Sequence, residues 1–315
     1  MSKKVSILVP CFNEEENVDA ISNAIIEQME KLQKYDYEII FIDNCSKDNT
    51  RALIRDLCNK NPKIKAIFNV KNFGQFNSPY YGLTQTTGDC AISMSADFQD
   101  PPELIPAFLE GWEEGNQIVC AVKTSSRENY IMYFLRSIYY KLIKKFSDVE
   151  QIEHFTGFGL YDKNFIEVLR KLDDPTPFLR GIVGELGGKR KEIPFEQPNR
   201  RAGKTHNNWY SLYDAAMLSF TSYTKVSMRL AVFVGVIFSF LSLLTGFVYL
   251  IMKLLYWDTF AAGQAPTLII VSLMCSIILA FIGLLGEYIA AINARMMHRP
   301  LVVEEERINF DKKEQ

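Results

Sequence analysis

Short apolar runs alternate with amphipathic segments along the first 125 residues of the chain. Continuous apolar runs predict buried strands, and apolar positions repeating every three or four residues predict helices. The predicted strands are residues 5–9, 38–42, 64–68, 89–94 and 118–122. The predicted helices are residues 14–33, 48–59, 74–86 and 102–113. This alternation predicts an α/β fold, in which helices cover both faces of a mostly parallel sheet.

The pattern becomes less regular beyond residue 125. It predicts helices over residues 130–146 and 162–172 and a strand over residues 189–195. An apolar stripe that includes Trp209 and Tyr213 then runs through residues 207–228. We interpret this stripe as an amphipathic helix at a membrane interface, with a soluble packing helix as the alternative.

Two long uncharged runs, residues 230–252 and 267–286, follow this stripe. Each is long enough to cross the hydrocarbon core of a bilayer as a helix, so they predict a two-helix transmembrane hairpin. A buried soluble hairpin is the alternative. Basic residues at the outer ends of both runs predict that these ends face the cytoplasm.

The expected protein is therefore a multi-pass protein of the plasma membrane, with its N-terminal domain and both termini in the cytoplasm. The N-terminal domain is predicted at 1–206 and the interfacial helix at 207–228. Transmembrane helices are predicted at about 230–253 and 267–290, within a segment at 229–292, and a tail at 293–315.

Composition narrows the class of function. The chain has 315 residues and a net charge of −2, so it lacks the basic surplus typical of nucleic-acid binding. Its six cysteines show no zinc-ligand spacing, and most lie in or beside apolar runs. We interpret them as buried thiols in a reducing compartment.

Polar stretches follow four of the predicted strands, at residues 10–14, 43–46, 71–74 and 95–99. Ligands of open α/β sheets bind beyond the carboxyl ends of the strands, so these stretches are expected to meet at one edge. The last stretch offers the oxygens of Asp97 and Gln99, which suit a hard cation beside a phosphate. The sequence thus predicts a phosphate and metal site at this edge.

These motifs together resemble glycosyltransferase family 2, and more narrowly its bacterial polyprenyl-phosphate enzymes related to dolichyl-phosphate mannose synthase. The resemblance covers nearly the whole chain. It rests on residues 9–15, 43–50, 71–74 and 96–103, on the Arg200-x-x-Gly203-x-Thr205 loop, and on the two C-terminal apolar runs. It implies the GT-A fold and inverting transfer of a hexose from a nucleotide sugar, with a UDP-sugar favoured, to polyprenyl (undecaprenyl) phosphate for envelope glycan modification.

The resemblance also implies roles for individual residues and a Mg²⁺ or Mn²⁺ cofactor. The donor-binding residues would be Pro10, Phe12, Glu14, Asp43, Lys71 and Ser95. The metal ligands would be Asp97 and Gln99, and the catalytic residues Asp97, Arg127 and Arg200. Cations that suit the acceptor phosphate are Lys123, Arg136, Arg201 and Lys204. The expected partners are the donor, the acceptor and membrane lipids, but no nucleic acid.

The chain departs from the family pattern at positions that carry chemistry. Ser95 replaces the first metal-binding Asp, Asn44 replaces the second Asp of its loop, and Gly157 replaces the Asp proposed as a general base. A hydroxyl acceptor needs a base. A phosphate monoester has a second pKa of about 6, so its oxygen is already a nucleophile at neutral pH. The missing Asp therefore favours a phosphate acceptor.

Other interpretations remain open at this point. Asp148, Glu153 or Asp162 could act as a base toward a lipid or polysaccharide hydroxyl. Alternatively, the three departures could mark a degenerate scaffold that binds nucleotide sugar without turnover. The sequence does not fix the sugar, the metal, the lipid length or the oligomeric state, a homo-oligomer included.

Overall fold

A computed structural model of the protein describes residues 2–125, 152, 154–172, 174–202, 264–297 and 299–310, with single helical positions between 233 and 255. The helices predicted over 130–146 and 207–228 lie outside these residues, as does most of the first long apolar run.

The strands and helices predicted for the first 125 residues are confirmed, with shifted ends. The strands are β1 (Lys3–Cys11), β2 (Tyr35–Asp43), β3 (Ile64–Asn69), β4 (Cys90–Ser93) and β5 (Ile118–Ser125). The helices are α1 (Val18–Lys31), α2 (Thr50–Lys60), α3 (Gly74–Thr84) and α4 (Ile105–Glu113), the last after a 3₁₀ turn at Pro102–Leu104. The later elements are β6 (Phe155–Asp162), α5 (Lys163–Lys171), α6 (Leu179–Leu186), β7 (Arg190–Glu196), α7 (Gln264–Met296) and β8 (Glu304–Ile308).

The strands form one sheet in the order β7-β5-β6-β4-β1-β2-β3-β8. Its central strands β3, β2, β1 and β4 are parallel, and β5 also pairs in parallel with β7. β6 runs antiparallel between β4 and β5, and β8 runs antiparallel on the outer side of β3. Buried apolar clusters cover both faces of the sheet, as expected for a sheet with helices on both sides.

The apolar face of α1 packs into the core as its spacing predicts, with Val18, Ile21, Ile25 and Met29 buried. The helix begins four residues later than predicted, at Val18 instead of residue 14. The preceding residues form a turn instead, in which the backbone carbonyl of Glu14 accepts the amides of the residues at 17 and 18. This turn keeps the end of β1 as a loop.

Strands β6 and β8 are absent from the sequence prediction. β6 contains two glycines, which weaken a strand pattern. Gly159 is nevertheless required, since a Cβ atom there would lie 2.4 Å from the backbone oxygen of Val119 on β5. β8 comes from the segment interpreted as a tail, and its charged sequence gives no apolar alternation. Arg55 on α2 pairs with Glu306 of this strand and helps to hold it on the edge.

The expectation of a multi-pass plasma-membrane protein is wrong by the structure. In the described part of the chain, no helix combines enough length with enough apolar character to pass through a bilayer. The predicted transmembrane hairpin is thus not supported by the described helices.

Candidate active site

A cleft of about 860 Å³ opens at the carboxyl ends of the central strands. The chain builds β1, β2 and β3 outward in one direction and then returns to place β4 on the other side of β1. The loops after β1 and β4 therefore diverge and leave a crevice between them, which is the position where open α/β sheets bind ligands. The convergence predicted from the four strand-end loops is thus present.

Many of the predicted site residues line this cleft. They are Pro10, Phe12, Glu14, Ser95, Asp97, Gln99, Lys123 and Arg200. The fold thus brings together residues from the loops after β1 and β4, from β5 and from the segment after β7. Their individual roles stay predictions.

Asp97 lies at the centre of the site and is 3% exposed. Its Oδ1 accepts hydrogen bonds from Ser95 Oγ at 2.8 Å and from the backbone amide of Gln99 at 3.1 Å. Its Oδ2 pairs with the guanidinium of Arg200 at 2.8 Å. Ser95, which replaces a carboxylate of the family pattern, therefore orients the remaining carboxylate through its hydroxyl group.

The donor set around Asp97 fits a divalent cation only in part. Within the described ranges, no group of three or more His, Cys, Asp or Glu side chains could hold a metal. Asp97 and Gln99 together offer a carboxylate and an amide oxygen, and Mg²⁺ commonly binds through one carboxylate completed by substrate phosphates and water. The residues therefore fit a cation that arrives with a diphosphate, provided that Arg200 releases Oδ2 of Asp97.

Two further carboxyl groups in the cleft have raised pKa values. Burial raises the pKa of Asp100 to about 6. The hydrogen bond from the Ser95 amide to Oδ2 of Asp100 acts in the opposite direction and lowers this pKa. Burial also raises the pKa of Glu14, and the hydrogen bond from Asn17 opposes this shift. The negative charge of Asp97 contributes to both shifts, so the carboxylates of the cleft repel one another when they are ionised.

Asp43 lies behind the wall of the cleft and is fully buried at the end of β2. Its carboxylate accepts the backbone amides of Cys45 and Ser46 and pairs with Arg51 at 2.9 Å. Arg51 in turn pairs with Glu305 on β8. The structure thus shows Asp43 organising the loop after β2, and its predicted contact with the donor stays a prediction.

Asn44, the next residue, does line the cleft and connects two strand-end loops. Its Nδ2 donates to Asn72 Oδ1 at 2.9 Å and to the carbonyl of Gly74 at 3.1 Å. Its Oδ1 accepts the Phe73 amide at 2.9 Å and Asn69 Nδ2 at 3.2 Å. A carboxylate at this position could not donate, so the departure from the family's Asp is required by these contacts.

The other predicted residues lie elsewhere. Lys71 is exposed, with its ammonium 5.0 Å from the centroid of the Phe73 ring. Arg201 is exposed and lies over the Phe98 ring at 5.1 Å, while its backbone amide donates to the Asp97 carbonyl. The remaining cations, Arg127, Arg136 and Lys204, fall outside the described residues.

Gly157 forms part of the cleft wall and has a φ of +100°, a conformation that side chains rarely adopt. An Asp at this position would be strained in the present backbone. Asp162, an alternative base, pairs with Cys90 at the opposite, amino-terminal end of β4. There it accepts the indole N–H of Trp112 and caps α5 through the Asn164 amide. Asp162 is therefore a structural residue, remote from the cleft.

The sequence analysis missed residues of the segment after β6 that complete the cleft. These are Phe178, Leu179, Arg180 and Gln197, facing Phe76 and Pro79 of α3. The prolines at 175 and 177 favour an abrupt turn of the chain. They are the only sequence signal that could have pointed to part of this segment. Phe76 and Phe178 meet edge to face, with ring centroids 5.7 Å apart.

The site therefore has the form of a nucleotide-sugar transferase. A parallel half-sheet presents polar loops at its switch point, and a carboxylate, an amide and an arginine lie together at the end of β4. A solved structure has the same fold. Glucosyl-3-phosphoglycerate synthase from Mycobacterium tuberculosis, in complex with uridine diphosphate, is 17% identical with a TM-score of 0.50, covering 70% of this chain and 79% of the other.

The sequence comparisons then identify the family. A model described as glycosyl transferase family 2 matches residues 6–170, just over half of the chain. The bactoprenol glucosyl transferase of Shigella phage SfX is 30% identical over 298 residues, covering 94% of this chain and 97% of the relative. The uncharacterized glycosyltransferase YkcC of Bacillus subtilis (strain 168) is 28% identical over 309 residues, covering 98% and 95%. The chain belongs to glycosyltransferase family 2 and is a glycosyltransferase.

Proposed function

We propose that this enzyme moves a hexose from a nucleotide sugar, with a UDP-sugar favoured, to a polyprenyl phosphate, forming a lipid-linked sugar for the modification of envelope glycans. The name of the phage relative, a bactoprenol glucosyl transferase similar over nearly its whole length, supports the acceptor class. It also makes glucose the first sugar to test.

The observation that carries the proposal is the glycine at position 157 in the cleft wall. Related enzymes carry their proposed base at this position. A hydroxyl acceptor needs a base, whereas a phosphate monoester is already ionised at neutral pH. A cleft without the usual base therefore suits an acceptor that arrives ionised.

The reaction needs no proton transfer. An oxygen of the acceptor phosphate dianion attacks the anomeric carbon of the sugar. The bond from that carbon to the donor diphosphate breaks, and its electron pair leaves with the β-phosphate oxygen. A sugar phosphodiester and a nucleoside diphosphate are formed, and one unit of negative charge moves from the acceptor to the leaving group. Attack opposite the leaving group inverts the anomeric carbon.

The chain's own residues position the reactants and balance the charge. Pro10, Phe12 and Glu14 would frame the nucleotide beside the loop that Asn44 supports. Asp97 and Gln99 would hold a Mg²⁺ or Mn²⁺ ion, which supplies positive charge to the departing diphosphate. Arg200, released from Asp97 when the ion binds, would then be able to pair with the anionic diphosphate.

This proposal is tested by incubating the purified protein with undecaprenyl phosphate and a panel of UDP-sugars, in Mg²⁺, Mn²⁺ or chelator. We expect release of UDP with at least one donor, dependent on both the acceptor and the metal. Asp97→Asn should reduce turnover by at least a hundredfold, because it removes the carboxylate that neutralises the metal. Absence of UDP release with every donor would overturn the enzyme assignment and favour a binding scaffold.

A further inference from the structure

The part of the cleft beyond Asp97 combines positive charge with an apolar wall. Lys123 on β5, Arg180 on α6 and Arg200 after β7 are the cations among the described lining residues. The apolar side chains of Phe76, Pro79, Phe178 and Leu179 also line the cleft, and Phe76 and Phe178 are in contact. A subsite that is both cationic and apolar suits an amphiphilic anion more than it suits a sugar or a nucleotide.

Two of these cations contact the groups around Asp97. Arg200 pairs with Asp97 at 2.8 Å. The ammonium of Lys123 donates to Gln197 Oε1 at 2.7 Å, and its charge also attracts the carboxyl group of Asp100. These two residues are therefore coupled to the groups around the predicted metal and donor phosphates.

Arg180 lies beside an aromatic ring. It is the second residue of α6, and its guanidinium carbon lies 5.4 Å from the centroid of the Phe178 ring. Phe178 is only 6% exposed and meets Phe76 edge to face. A guanidinium group combines this affinity for aromatic rings with N–H geometry that suits phosphate.

We infer that Arg180 binds the phosphate of the acceptor, and that Phe76 and Phe178 contact the isoprenoid unit next to that phosphate. This inference rests on the proposed function and specifies its acceptor subsite. The phosphate would lie between Arg180 and Lys123, facing Gly157, where the lack of a side chain leaves room for the incoming oxygen. We expect the edge-to-face pair to favour a prenyl phosphate over a small polar phosphate.

Calorimetric binding of farnesyl phosphate, a short prenyl phosphate, tests this subsite directly. We expect Arg180→Gln to weaken binding at least tenfold and Arg180→Lys to weaken it less. Phe76→Ala should weaken the binding of farnesyl phosphate. It should change the much weaker binding of glycerol phosphate by less than twofold. Arg190→Gln is the matched control, because Arg190 begins β7 at the amino-terminal end of β5, away from the cleft. Donor binding should stay within twofold in all variants.

The outcomes separate the inference from the proposed function. If the wild type transfers sugar to undecaprenyl phosphate but Arg180→Gln binds farnesyl phosphate as the wild type does, the subsite is wrong and the function stands. If binding depends on Arg180 but the wild type transfers no sugar to any prenyl phosphate, the subsite stands and the function is wrong. Equal weakening by Arg180→Gln and Arg190→Gln would show a general charge effect and overturn the subsite.

Discussion

Single residues in the loop after β2 show how this chain tolerates departures from its family pattern. Cys45 has a φ of +65°, in the left-handed region that favours glycine. A side chain in this left-handed region costs roughly 1 kcal/mol or more, and a β-branched side chain costs more still. The loop retains the conformation because the amides of Cys45 and Ser46 bind the Asp43 carboxylate.

We predict that Cys45→Gly leaves the free energy of unfolding unchanged or raises it by up to about 1 kcal/mol, since the strain it relieves exceeds the added freedom of the unfolded chain. Cys45→Val should lower it by about 1–2 kcal/mol. Urea unfolding measures both changes. A higher unfolding free energy for Cys45→Val than for Cys45→Gly would contradict the left-handed conformation.

Asn44 gives the opposite prediction, because here the family residue is expected to harm the protein. Asn44→Asp would remove the N–H donor that binds Asn72 Oδ1 and the Gly74 carbonyl. It would also place a buried carboxylate beside these two oxygens, which would repel it. We expect a loss of about 2 kcal/mol in unfolding free energy at pH 7. Asn23→Asp, on the exposed side of α1, is the control and should change stability by less than about 0.5 kcal/mol.

At the scale of elements, a buried ionic network joins three strands at the end of the sheet opposite the cleft. Glu38 on β2 is 1% exposed and pairs with Lys4 on β1 and Lys65 on β3, each at 2.8 Å. It also accepts hydrogen bonds from Ser6 Oγ and the amide of Thr87. Burial opposes ionisation of Glu38, but these partners outweigh it and lower its pKa to about 2.

The sign of the resulting pH dependence follows from this lowered pKa. The ordinary value for Glu is 4.5, so the network contributes its full stability above about pH 4.5 and loses it as the pH falls toward 2. At neutral pH, Glu38→Gln should reduce the unfolding free energy by roughly 3 kcal/mol. This deficit should shrink between pH 4.5 and 2. Glu27→Gln, which breaks an exposed pair with Lys31, is the control and should leave the stability nearly unchanged at every pH. A deficit independent of pH would contradict the network.

Elements with a strong periodic pattern were predictable, and elements specified by tertiary contacts were not. The apolar spacing of α1 and the short runs of β1 to β5 gave the right elements because they face the core directly. β6 escaped prediction because its glycine at 159 is set by the close approach of β5. β8 escaped because an edge strand held by Arg55–Glu306 pairing needs no apolar pattern.

At the scale of the whole molecule, the two halves of the sheet contribute different parts of the site. The residues from the parallel half are easier to predict from the sequence than those from the other half. The loops after β1 and β4 carry recognisable motifs, so residues such as Glu14 and Asp97 could be named in advance. Arg180 and Phe178 could not, because only the fold of the chain after β6 returns them to the same cleft. Asp43, a motif residue, bonds the amides of its own loop and Arg51, and its donor-binding role stays a prediction.

The proposed reaction uses an ionised acceptor and needs no general base. The most direct measurement compares transfer from one UDP-sugar to undecaprenyl phosphate and to undecaprenol, with the product identified by mass spectrometry. We predict a sugar phosphodiester from the phosphate acceptor, and a rate with the alcohol at least about a thousandfold lower, because glycine stands at position 157 in place of the usual base. Comparable rates with both acceptors, or a glycoside formed readily on undecaprenol, would contradict the account.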